Sequence, residues 1–195
     1  MSLTSSITRP DRARSLLAPT GRDAPLEPAF LAELVAGLAV VDELWRPHAV
    51  HDADHRGSVR LVATEAYEVW LLGWTPGQGV ELHDHGGSSA ALQVVEGELL
   101  EVRWESEGRP SHHRLPTGAG RVVPSGTVHD VLNVKAAKAT SLHAYSPPLS
   151  SMTYYDPITG EATHTEAVVP EPAAISGPTL AQALHPAGSG HRPRG

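Results

Sequence analysis

The stretch Gly77-Gln78-Gly79-Val80-Glu81-Leu82-His83-Asp84-His85 sets two histidines two positions apart. Side chains alternate along a strand, so His83 and His85 face the same way and their imidazoles can converge on one metal ion. A second stretch, Gly118-Ala119-Gly120-Arg121-Val122-Val123-Pro124-Ser125-Gly126-Thr127-Val128-His129, ends in a lone histidine, with Asn133 four residues on. An apolar hairpin lies between the two stretches and can bring His129 beside His83 and His85. A third stretch, Ser141-Leu142-His143-Ala144-Tyr145, puts a hydroxyl, an imidazole and a phenol on one strand face. Such a row can relay a proton or fix a hydrogen bond.

The chain has no cysteine. That excludes thiolate nucleophiles, disulfides, Fe–S clusters and cysteine-based zinc sites, and leaves its 12 histidines as the candidate soft ligands. Three imidazoles would occupy one face of an octahedral ion and leave about three positions open. They bring no charge to offset a 2+ ion, so the site favours an anionic donor, such as a thiolate, with room left for dioxygen. His112 and His113 are adjacent, face opposite ways and read as surface residues. None of His48, His51, His55, His164, His185 and His191 is assigned to the metal.

The elements that must position these residues are short. Apolar positions Leu31, Leu34, Val35, Leu38, Val41 and Trp45 recur at helical spacing, with Pro28 in the first turn and Pro47 past the end, and predict one amphipathic helix over 28–45. Beyond it the pattern predicts strands at Arg60–Thr64, Glu68–Trp74, Glu81–His85, Ala91–Trp104, His112–Leu115, Gly120–Val123, His129–Val134, Thr140–Tyr145 and Met152–Tyr155, with Glu96-Gly97-Glu98 breaking the long run into a hairpin. Regularly spaced short strands indicate a sandwich or barrel. Residues 1–25 are Pro-punctuated and read as a flexible segment, 26–169 as one domain with a leading helix, and 170–195 as a Pro/Gly-rich disordered tail in which Thr179–His185 could form two helical turns.

At 195 residues the length suits one domain, and the net charge of −7 argues against a nucleic-acid partner. No apolar run is long enough to span a membrane, and Met1–Thr20 lacks the continuous apolar core of a secretory leader. The expectation is a cytoplasmic protein, with no protein partner predicted.

The first two stretches resemble the paired motifs of the cupin superfamily. Gly77, His83, His85 and Gly97 fit the first motif; Gly118, Pro124, Gly126, His129 and Asn133 fit the second. The family's acidic ligand is missing, because Ser89 and Ala90 stand in its place. With Ser141-x-His143-x-Tyr145 and the following Ser146-Pro147-Pro148, residues 58–160 are similar to the cysteine dioxygenase family of thiol dioxygenases, arginine type. The resemblance implies an all-β cupin jelly-roll barrel with a small N-terminal helical segment. It also implies Fe(II) held by His83, His85 and His129, and oxidation of cysteine by dioxygen to the sulfinic acid. Tyr145 would reach substrate and oxygen, His143 and Ser141 would orient its hydroxyl, and the Ser146–Pro147 bond would be cis.

Arg60 in Ser58-Val59-Arg60-Leu61 matches the carboxylate-binding arginine, although Ser58 replaces a common Tyr and Arg56 is a rival. Arg103, Arg114 and Arg121 read as solvent-facing strand residues. Ala90 stands where animal members cross-link a Cys to the Tyr. Three alternatives remain: a 3-mercaptopropionate dioxygenase, a non-catalytic ligand- or metal-binding cupin, and a zinc or nickel cupin hydrolase or isomerase.

Overall fold

The computed structural model describes residues 25–104 and 109–175. The expectations for most of residues 1–25, and for Thr179–His185 and the rest of the tail beyond 175, lie outside the described residues.

Among the described residues, eleven strands form two antiparallel sheets. They are β1 (Gly57–Ala63), β2 (Glu68–Trp74), β3 (Gly79–Asp84), β4 (Ser89–Glu96), β5 (Glu98–Trp104), β6 (Pro110–Pro116), β7 (Gly120–Val123), β8 (His129–Leu132), β9 (Ala139–Ser146), β10 (Ser151–Tyr155) and β11 (Ala162–Ala167). One sheet runs β1-β2-β9-β4-β7 and the other β11-β10-β3-β8-β5-β6. From β2 onward the chain crosses between sheets at nearly every step; only the β5–β6 and β10–β11 hairpins stay within one. That alternation is the connectivity of a jelly roll, as expected.

The long central run breaks at Gly97, whose φ of 81° and a Cβ position 2.6 Å from the Lys138 carbonyl admit only glycine. β11 was not expected from the sequence. Its residues, Ala-Thr-His-Thr-Glu-Ala, are all exposed, so they carry no buried alternation to read; pairing with β10 alone makes it a strand.

The predicted helix over 28–45 is instead two. A helix spans Pro28–Ala39, a second spans Asp42–Trp45, and a 3-10 turn follows at Arg46–His48. In one unbroken helix Leu44 would sit about 120° away from Leu38 around the axis. The break at Val40 and Val41 lets Leu38, Leu44 and Trp45 all reach the core.

Two apolar layers result. The first helix packs Leu31, Leu34, Val35 and Leu38 on the outer face of the first sheet, against Val69, Leu71, Ala91, Leu142 and Ala144. Between the sheets lie Leu72, Trp74, Leu92, Val94, Leu99, Val123 and Val131. Every residue of β9 is therefore buried. Leu142 and Ala144 face the helix, and the alternation turns Ser141, His143 and Tyr145 toward the interior.

The tail expected from 170 begins in contact with the barrel. The Ala174 and Ile175 N–H groups donate to the Arg60 and Leu61 carbonyls, and Ile175 is buried. No helix among the described residues is long and apolar enough to cross a membrane.

Candidate metal centre and substrate cavity

β3 and β8 pair directly, with His83 opposite His129, and His85 lies one residue past the end of β3. The three imidazoles come together as the spacing predicts. The Nε2 atoms of His83 and His85 are 3.2 Å apart, and those of His129 and His85 are 3.4 Å apart. All three rings are buried. Among the described residues they form the one group of three or more His, Cys, Asp or Glu side chains placed to hold an ion, and no carboxylate belongs to it.

The donor set itself tests the fit. His83 Nδ1 lies 2.7 Å from the Glu81 carbonyl and His129 Nδ1 lies 3.1 Å from a Glu101 carboxylate oxygen. Both partners only accept, so both Nδ1 atoms carry the proton and both Nε2 atoms present lone pairs. Burial drives the His83 pKa down to about 3 and holds His85 well below its ordinary value, so the rings are neutral near pH 7. His85 Nε2 lies within 3.4 Å of both lone pairs, so either a proton on His85 or a cation shared by the three nitrogens satisfies them. The residues fit a divalent metal.

The histidines line a cavity of about 220 Å³ between the sheets. Trp70, Leu72, Val80, Val131, Leu149 and Met152 supply apolar wall, and Val168, Val169 and Glu171 close one side. His143 and Tyr145 face this space. Trp74 Nε1 donates to Ser141 Oγ at 2.9 Å, and Ser141 Oγ lies 2.9 Å from His143 Nε2. The Ser141 hydroxyl thus accepts from the indole and donates to the imidazole, which leaves the His143 proton on Nδ1. Burial pushes the His143 pKa down to about 3 and pushes Tyr145 far up, so at neutral pH one is a neutral imidazole and the other a phenol.

The row is joined from Trp74 through Ser141 to His143. His143 and Tyr145 rings stack with centroids 6.4 Å apart, and the Tyr145 hydroxyl has no hydrogen bond to a described residue. The Ser146–Pro147 peptide is cis.

Arg60 does not line the cavity. Its Nε pairs with the buried Glu68 carboxylate at 2.8 Å and its Nη1 donates to the Glu171 carbonyl. Arg56 is the guanidinium that faces the cavity, 5.1 Å from the Trp74 ring centroid. Its Nε is buried without a hydrogen-bond partner among the described residues, and burial lowers its pKa. Arg56, just before β1, and Arg60 within it stand four residues apart and so share one parity. Glu68, at the far end of β2, captures Arg60.

Arg103 and Arg121 are not the solvent-facing residues expected. Both bind the fully buried Glu101, at 3.0 and 2.9 Å. Burial raises the Glu101 pKa, but the His129 hydrogen bond and the two guanidiniums outweigh it and bring the group down to about 2. Sequence reasoning missed Glu101. The signal was present: it stands two residues from the core Leu99 on an inward-facing parity.

A family model described as cysteine dioxygenase type I matches residues 26–157, more than half of the chain. "Cysteine dioxygenase type 1" of Danio rerio is 29% identical over 104 residues, 48% of this chain and 52% of that protein. The Homo sapiens protein of the same name is 26% identical over 150 residues, 68% of this chain and 74% of that protein. The chain spans about half the length of the zebrafish and rat relatives it matches. Among solved structures, TT1209 from Thermus thermophilus is similar at 24% identity and a TM-score of 0.48, over 53% of this chain and 93% of that chain.

Proposed function

The chain belongs to the cysteine dioxygenase type I family, and from that premise we propose that it is an iron(II)-dependent thiol dioxygenase that converts L-cysteine and dioxygen to cysteine sulfinic acid. The observation that carries this reading is the convergence of three buried imidazoles, joined by no carboxylate among the described residues, in a cavity shared with Arg56 and Tyr145. Iron held by His83, His85 and His129 would supply open positions where a thiolate and dioxygen can meet.

The chain's own residues do the rest. Three imidazole ligands bring no charge to offset a bound 2+ ion, so the loaded site would draw an anionic thiol. Arg56, in place of Arg60, takes the substrate carboxylate; its fork suits that group, and it lines the cavity with no ion-pair partner among the described residues. A single carboxylate clamp of this kind supports the arginine-type subclass. The Tyr145 phenol donates toward the reacting sulfur and oxygen. His143, fixed by Ser141 and Trp74, presents its Nδ1 proton beside the phenol ring. The apolar wall keeps bulk water from the sulfur. Both dioxygen atoms add to sulfur, which loses four electrons while dioxygen gains four, so no further reductant is needed.

The test is turnover by protein reconstituted anaerobically with Fe(II) and then exposed to 18O2. One dioxygen should be consumed per L-cysteine, and both labelled atoms should appear in the sulfinate. Clear preference for 3-mercaptopropionate would move the substrate to the thiol that lacks the amine. Absence of turnover with both thiols, iron bound, would favour a binding protein. Tyr145→Phe should retain iron and lose about 100-fold or more in turnover; an unchanged rate would remove Tyr145 from the reaction.

A further inference from the structure

Glu101 is a fully buried carboxylate on β5, flanked on its own inward face by Leu99 and Arg103. Its Oε1 accepts from His129 Nδ1 at 3.1 Å and from Arg103 Nε at 3.0 Å, and its Oε2 accepts from Arg121 Nε at 2.9 Å. Arg103 is its neighbour on the strand and also donates to the Val122 carbonyl; Arg121 reaches it from β7 in the opposite sheet. We propose that Glu101, clamped between Arg103 and Arg121, is a positioning residue that fixes His129 with its proton on Nδ1 and its Nε2 lone pair aimed between His83 and His85. The proposal rests on the metal reading above.

The physical argument is one of compulsion. A neutral imidazole has one N–H, and an ionised carboxylate can only accept. His129 must therefore protonate Nδ1, and turning the ring over would set a lone pair against a negative oxygen. A carboxylate behind the ring also raises the basicity of the Nε2 that faces the metal. His83 is oriented by a neutral backbone carbonyl instead, which is a weaker acceptor. The guanidiniums approach Glu101 from both sheets, so its oxygens cannot swing away from His129. One carboxylate against two guanidiniums leaves this cluster net positive, and the cationic character of the cavity survives.

The experiment titrates Co(II) into metal-free wild type and Glu101→Gln, read by visible absorption, with circular dichroism to verify cooperative unfolding of each. The amide has a single acceptor atom where three N–H groups converge, so one donor must face another donor. Glu101→Gln should bind Co(II) about 10- to 100-fold more weakly, with an altered spectrum; equal affinity overturns the proposal. A second measurement needs no variant in the clamp: long-range 1H–15N correlation on the metal-free wild type, with His129 assigned from the spectrum of His129→Gln. An Nδ1–H tautomer supports the proposal and an Nε2–H tautomer overturns it. A purely structural clamp would lower the unfolding temperature of Glu101→Gln without moving either readout. A wild type that binds no Co(II) overturns the metal reading and this proposal together. A wild type that binds, matched by Glu101→Gln, overturns this one alone.

Discussion

Two arginines four residues apart divide the work around the cavity. Arg56 faces it with no ion-pair partner among the described residues, whereas Arg60 is held by Glu68 and the Glu171 carbonyl. A charged hydrogen bond contributes about 1.5–3 kcal/mol, or about 10- to 100-fold in binding. Arg56→Met should therefore raise the KM for L-cysteine about 10- to 100-fold, while Arg60→Met leaves it within about threefold. Oxygen-electrode kinetics over a range of cysteine concentrations would check both. An inverted result would return the carboxylate to Arg60. The inward placement of the three converging histidines, Ser141, His143 and Tyr145 could be read from spacing, because parity on a strand is a local property. The choice between Arg56 and Arg60 could not, since both have the same parity.

At the level of elements, β1 and β2 are joined by more than their ladder. Glu68 accepts from the Leu149 N–H and pairs with Arg60 while only 2% exposed. Removing one partner of a buried ion pair strands the other, at a cost of about 3–5 kcal/mol. The Leu149 hydrogen bond places this case near the lower end. Arg60→Met should thus lower the thermal midpoint by several degrees, and differential scanning calorimetry would reveal an unchanged midpoint if the pair is idle.

The first helix gives a contrasting case. Leu34 is 1% exposed and packs on the outer face of the first sheet, away from the cavity. Leu34→Ala should cost about 2–5 kcal/mol of stability and leave the KM of the folded enzyme unaltered. A shifted KM with stability intact would mean that the outer layer shapes the cavity. Helical periodicity made this face legible, but the break after Ala39 was not, because it answers to the burial of Leu44 and Trp45 rather than to any local stop signal.

The whole molecule is a sandwich that hides titratable groups, and its stability should follow pH accordingly. Burial holds His83 and His143 near 3 against an ordinary 6.5, and His85 well below that ordinary value. Above about pH 6.5 these rings are neutral in both states. Below it the unfolded chain takes up protons that the fold refuses, so stability is full above 6.5 and is lost as pH falls toward 3. Asp130, raised by burial to about 6, works the other way, but it is one group against three. The metal-free protein should therefore melt at progressively lower temperature from pH 7.5 to 5. A flat or rising profile would show that the rings are more solvated than the fold implies.

Sequence alone determined the sheet-forming pattern, the inward parity of the histidines and of the Ser141–Tyr145 row, and the replacement of the family's acidic ligand by Ser89 and Ala90. The pattern and the parity are set by alternation over a few residues, and the backbone enforces alternation without reference to the rest of the chain. Only the tertiary structure decided that Arg121 crosses to Glu101, that Glu68 claims Arg60, and that Arg56 remains to face the cavity. Which of several inward-facing charges meet depends on how two sheets stack and how far along its strand each residue sits, and no short stretch of chain carries that distance.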